Sequence, residues 1–195
     1  VKILLAIALC FAGQTLAQDS SNVRTIGTWT ISPCEVIAVT TIDTITYAVI
    51  GTDSTLSIIN VKNRYFPVKI SEIVTPGLVN CIVISGSYIY VSDGSSGLRI
   101  IDISIPTSPT EVGYYAGYST GVAVFGSYAF VTRGGSGFWI INISEPSNPT
   151  LVSSYYSELL NAQDVAISGI YAYVTEVYFG SLQKWNISDP EIPVY

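Results

Sequence analysis

Four charged residues occupy the same place in four similar stretches of the chain. Asp53 follows YAVIGT, Asp93 follows YIYVS, Arg133 follows YAFVT and Glu176 follows YAYVT. Tyr118, Tyr178 and Phe179 stand in neighbouring segments. Three carboxylates, one guanidinium and aromatic rings can bind a sugar or a peptide. A pair of carboxylates can also act as acid and base in glycoside hydrolysis if their separation suits it. A plainer reading stands beside these: turns favour Asp and other short polar residues whatever the function. Calcium at Asp93 with Ser95 and Ser96 is a poor fit, since the ion takes about six to eight oxygens. The chain has no histidine. This removes the commonest general base near neutral pH and the commonest metal ligand, and with them Ser-His-Asp and Cys-His catalysis. No P-loop, dinucleotide-binding glycine motif or Cys/His cluster occurs, so neither cofactor nor metal is expected, and no residue is assigned a catalytic role.

The elements that position these residues are repeats. Tyr88–Gly113 reads YIYVSDGSSGLRIIDISIPTSPTEVG and returns as Tyr128–Val152, more weakly as Tyr171–Val194, and in degenerate form as Tyr47–Ile70. The landmark tyrosines Tyr47, Tyr88, Tyr128 and Tyr171 are spaced 41, 40 and 43. Apolar residues come in short runs or alternate, and Gly and Pro interrupt them, which excludes helical repeats. A period of about 40–45 residues made of short strands marks the blades of a β-propeller. In the clearest copy the strands are expected at Asn80–Ser85, Tyr88–Ser92, Leu98–Ile103 and Glu111–Ala116, here termed a to d from the inside outwards. Gly86-Ser87 forms the a–b turn, and Pro106 and Pro109 end strand c.

Composition agrees with stacked sheets. Charged residues are 11% and apolar residues 49% of the 195-residue chain. Globular proteins average roughly 25% charged residues. Sheets covered on both faces explain the shortfall, because their strands need not alternate. No run after the N-terminal segment approaches the ~18 apolar residues of a spanning helix, so no membrane span is expected in the mature chain. The net charge of −6 and the scattered Lys and Arg residues argue against a nucleic-acid partner.

Residues Val1–Gln18 read as a secretory signal peptide: Lys2, an apolar core over Ile3–Ala12, and small residues that place the cut after Ala17. The mature chain is therefore expected to be secreted or at the cell surface. Cys34 and Cys81 then remain in an oxidising compartment, where they either pair or stay as small buried thiols. Asn142 and Asn186 begin N-x-S sequons and are candidate glycan acceptors. The matching positions Asn60, Asp102, Asn142 and Asn186 have a structural reading too, as turn residues whose short side chains bind nearby backbone N–H groups.

Blades are expected at about residues 36–75, 78–118, 121–157 and 163–195. The last lacks a strand d. Val23–Ile31 reads as a spare one, which would complete that blade and close the ring; the rival expectation is a fragment of a larger propeller.

The run Gly97–Pro106, GLRIIDISIP, with Tyr88–Val91 before it, resembles the LVIVD repeat. Val122–Val124, Val165–Gly169 and Ser188–Pro190 match it as well. The likeness is strong over Val79–Pro193 and weak over Val36–Ile73. It implies a β-propeller in an extracellular or cell-surface protein and implies no common catalytic activity. The expectation is an all-β propeller of about four four-stranded blades. It would act as a non-enzymatic module for an extracellular protein or glycan partner, with Asp53, Asp93, Arg133, Glu176, Tyr118 and Tyr178 as candidate contacts. A carboxylate-based glycosidase or lyase is the alternative.

Overall fold

The computed structural model describes residues 36–156, 161–177 and 180–195. The leader-like segment with its boundary at Ala17, the Val23–Ile31 strand and Cys34 lie outside the described residues, as do Tyr178 and Phe179.

The described chain is all β, apart from one short 3-10 turn at Gly94–Ser96. Blade 1 comprises β1 (Val36–Ile42), β2 (Ile45–Thr52), β3 (Thr55–Asn60) and β4 (Val68–Val74). Blade 2 comprises β5 (Cys81–Ser85), β6 (Tyr88–Ser92), β7 (Leu98–Asp102) and β8 (Thr110–Tyr115). Blade 3 comprises β9 (Gly121–Phe125), β10 (Tyr128–Thr132), β11 (Phe138–Asn142) and β12 (Thr150–Tyr155). Blade 4 contributes β13 (Ala162–Ser168), β14 (Tyr171–Glu176) and β15 (Ser181–Asn186). Each sheet is an antiparallel meander in chain order, and no strand pairs with a strand of another sheet among the described residues, although an isolated bridge joins Gly134 at the blade 3 corner to Ala162 of β13. In blade 4 a single bridge, Asn186 to Val194, starts the fourth position.

What stacks the sheets is the apolar content of both faces. Tyr47, Val49, Leu56 and Ile58 of blade 1 pack against Val79, Ile82, Ile89 and Val91 of blade 2. Tyr90, Leu98 and Ile100 point the other way, onto Val122, Val131, Trp139 and Ile141 of blade 3. Phe130, Phe138 and Ile140 then meet Val165, Ala172 and Val174 of blade 4. Neighbouring residues in a strand face opposite sides of the sheet, so a run such as YIYV feeds two cores at once. Burying one such side chain fully is worth about 1.5–3 kcal/mol, and the stacking draws on dozens of them.

Two further devices recur. A bulge interrupts the pairing of strands c and d at Ile58/Ile59, Ile100/Ile101 and Ile140/Ile141. The extra residue raises the local twist of the outer strand, and the Ile70, Val112 and Val152 side chains lie against the inter-blade cores. After strand c, Oδ1 of Asn60, Asp102, Asn142 and Asn186 accepts the backbone N–H two residues on, at 2.9, 2.7, 2.9 and 2.9 Å. These turns then reach the preceding blade. The Pro106 carbonyl accepts Ser71 Oγ at 2.5 Å and the Pro190 carbonyl accepts Ser153 Oγ at 3.2 Å. At the same position between blades 2 and 3 stands Gly113, where a Cβ would lie 2.1 Å from the Pro146 carbonyl oxygen.

Candidate functional site

The four charged residues sit at the b–c corners, one per blade, where the chain leaves β2, β6, β10 and β14. Their surroundings differ sharply.

Asp53 is exposed and has φ +48°, uncommon for a residue with a side chain. Its carbonyl accepts the Val79 N–H at 2.7 Å, tying the corner to the start of blade 2.

Asp93 is fully buried. Oδ1 accepts Thr75 Oγ1 at 2.6 Å and Oδ2 accepts the Gly77 N–H at 2.9 Å. Both partners belong to the d–a connection that leaves blade 1. Arg99 Nε lies 3.7 Å from Oδ2, and the same guanidinium donates to Glu111 Oε1 at 3.1 Å and lies over the Tyr114 ring. The Asp93 carboxylate is thus held on both oxygens and balanced by a cation. To act as acid or base it would first have to break those bonds. Glu176 is also buried, and its Oε2 accepts Ser181 Oγ at 2.8 Å across the corner of its own blade.

Arg133 is arranged otherwise. Its guanidinium lies 3.6 Å over the Trp139 ring, within the range of a cation–π contact. Trp139 is fixed edge-on to Tyr115 of blade 2, with ring centroids 5.1 Å apart and planes at 82°. Gly117 makes room for it: a Cβ there would fall 2.3 Å from the indole. Tyr118 is 51% exposed, and its Cε1 lies 3.4 Å from where a Cβ of Gly134 would be. Arg133 Nε is buried with no hydrogen-bond partner, and Arg133 makes no ion pair among the described residues. Burial lowers the guanidinium pKa from its ordinary value, opposed by the nearby Tyr115 phenol.

The fold therefore brings Tyr118 against the corner at Gly134, next in the chain to Arg133, across the junction of blades 2 and 3. It sets Asp93 and Glu176 into the framework and leaves Asp53 at a separate corner. Reading the residues alone missed Trp139 and Tyr115. A usable signal existed: Trp139 pairs with Val131 as Arg99 pairs with Val91, so the indole replaces the arginine of the preceding repeat. Among the described residues no group of His, Cys, Asp and Glu is placed to hold a metal ion, and no helix is long and apolar enough to cross a membrane.

On the other face, the c–d turn of blade 1 carries Arg64, followed by Tyr65 and Phe66, where the other blades have Pro106, Pro146 and Pro190. Phe66 is 74% exposed, and an open groove runs along Lys62, Arg64, Tyr65 and Val68.

The LVIVD repeat matches this chain at residues 76–116, 116–157 and 161–179. The chain belongs to the LVIVD-repeat family. The three matched LVIVD repeats cover the corners of Asp93, Arg133 and Glu176. The crystal structure of a computationally designed protein, Ika4, is similar in fold, with a TM-score of 0.65 at 8% identity. That likeness covers 84% of this chain and 98% of the designed one. No curated protein matches the sequence.

Proposed function

We propose that this LVIVD-repeat propeller is a secreted or cell-surface, non-enzymatic module that binds an extracellular protein or glycan. It does so through the face built by its b–c corners and d–a connections. The observation that carries this reading is the junction of blades 2 and 3. There a guanidinium without a carboxylate partner among the described residues lies on Trp139, and the exposed Tyr118 approaches the same corner at Gly134. The buried framework carboxylate of Asp93 is balanced by Arg99. A cation left over at the rim of a rigid scaffold is the pattern of a contact residue. Interface anchors are enriched in Arg, Tyr and Trp, and loops on a rigid scaffold commonly carry function. The apolar leader segment supports the extracellular placement.

The test has two arms. The purified chain is screened against panels of glycans and extracellular proteins, alongside a Tyr118→Ala/Arg133→Gln double variant. Binding by the parent that falls at least tenfold in the variant supports the proposal; a hit of equal strength in both places the contact elsewhere. Expression of the full chain with a C-terminal tag should put it in the medium or on the cell surface. Retention in the cytoplasm would overturn that half of the reading.

A further inference from the structure

We infer that the cluster of Arg133, Trp139, Tyr115 and Tyr118 is a subsite for a sugar residue bearing one carboxylate, a uronic acid within a glycan. The inference rests on the binding role proposed above and specifies its ligand.

The charge comes first. Arg133 is half-buried, its Nε is cut off from solvent and unbonded, and the indole face occupies one side of its plane. A guanidinium so placed has lost part of its hydration and gained no acid in return among the described residues. In blade 2 Arg99, at the position of Trp139, also has a buried Nε without a hydrogen bond, but its charge is shared between Asp93 and Glu111. An anion from outside is the group that would complete blade 3. The planar fork of arginine matches a carboxylate through two parallel N–H···O bonds. The chain's own net charge of −6 disfavours a densely charged polyanion, so one carboxylate at one cation fits better than a run of phosphates or sulfates.

The surroundings then choose between a sugar and a peptide. A peptide needs backbone partners, and the corner has little to give. The N–H groups of Arg133, Gly134, Ser136 and Gly137 bond to Gly137, Ala162, Arg133 and Gly134 carbonyls, at 2.8 to 3.2 Å. What the corner does offer is flat surface. Tyr118 presents half of its area to solvent, and Gly135 has open space where a side chain would be. A pyranose ring can lie against the tyrosine over that clear backbone while its carboxylate meets the arginine. Stacking of a ring on an aromatic side chain at an apolar, lightly polar site is ordinary ligand recognition.

The experiment compares defined uronic-acid oligosaccharides with the same oligosaccharides after reduction of the carboxyl to a primary alcohol. Binding to the full chain is measured by calorimetry. The acid form should bind, and the reduced form at least tenfold more weakly. Arg133→Gln should erase that difference, Arg133→Lys should keep a small part of it, and Tyr118→Ala should weaken both forms alike. Raising salt should weaken only the acid form. Near-ultraviolet circular dichroism of each variant checks that the tryptophan environment is retained, and the ligand pair on unaltered protein is decisive even if a variant misfolds. Equal binding of acid and reduced forms, no binding of either, or an acid preference that survives Arg133→Gln overturns the inference. So does an acidic peptide whose binding needs Arg133 where the uronates fail. Either that peptide result or a neutral glycan bound through Tyr118 leaves the broader binding role standing.

Discussion

The b–c corners of blades 2 and 3 have one backbone and opposite chemistry. In both, the first residue's N–H meets a glycine carbonyl four positions on, Asp93 to Gly97 and Arg133 to Gly137, each at 2.8 Å. Both glycines have positive φ, +83° and +78°. Yet one corner closes a carboxylate into a set of bonds with the preceding connection, and the other leaves a cation on an indole at the rim. Backbone and glycine hold the shape. Two side chains per corner, Asp93 with Arg99 or Arg133 with Trp139, decide whether the corner is framework or contact surface.

The hardest way to break the comparison is to attack what the corners share. A Cβ on Gly137 would lie 1.8 Å from the Tyr155 carbonyl oxygen, and one on Gly97 would lie 2.2 Å from that of Tyr115. Gly137→Ala and Gly97→Ala should each destabilise the fold by about 3 kcal/mol or more, to a similar degree, in urea melts. Clear inequality would mean that the two loops are not equivalent supports.

Removing the distinguishing residues should separate the corners. Asp93→Ala leaves the Gly77 N–H without its acceptor, Thr75 with only its longer contacts and Arg99 with Glu111 alone and should cost roughly 2–4 kcal/mol. Arg133→Ala removes one cation–π contact and should cost no more than about 1 kcal/mol. Equal losses would show that Arg133 belongs to the framework after all. Of similar size are the effects at the turns after strand c. Asp102→Ala and Asn142→Ala each lose one side-chain bond to backbone, about 1 kcal/mol in either blade.

The interface between the two blades also has a pH response. Burial raises the pKa of the Cys81 thiol above its ordinary value, and the thiol donates to the Val122 carbonyl at 3.7 Å across the junction, a bond that only the protonated form makes. The neutral thiol is the form the fold favours. Its contribution is present below the unfolded thiol's pKa and fades as pH rises through about 8.5 and beyond. Alkylation of Cys81 near pH 8.5, followed by peptide mapping, should be slower in the folded chain than in urea. Equal rates would mean that this junction opens readily.

How much of this could be read from the residues follows from where each signal lives. Strand boundaries were legible because Gly, Pro and the YxYV runs are local: the Tyr88–Ser92 strand appears as expected. The polar slot after strand c was legible for the same reason, since an Asx turn needs only its own next two residues. The corners were legible as positions and illegible as environments. Asp53 and Asp93 look alike in sequence, but the burial of Asp93 is set by Thr75 and Gly77, which another blade delivers. Trp139 as the seat of Arg133 depends on Tyr115 and Gly117 across a blade boundary. Contacts between repeats are what a single repeat cannot announce.

The grip of each c–d turn on the outer strand before it has one more implication. Among the described residues, the carbonyl of Pro106, Pro146 or Pro190 meets a serine or a glycine of the preceding blade. Such a tooth-and-notch joint is indifferent to position along the array, and coupling limited to neighbours is what lets solenoid-like proteins gain or lose modules. A duplicated cassette spliced in between Tyr115 and Gly121 would arrive with both halves of the joint already cut.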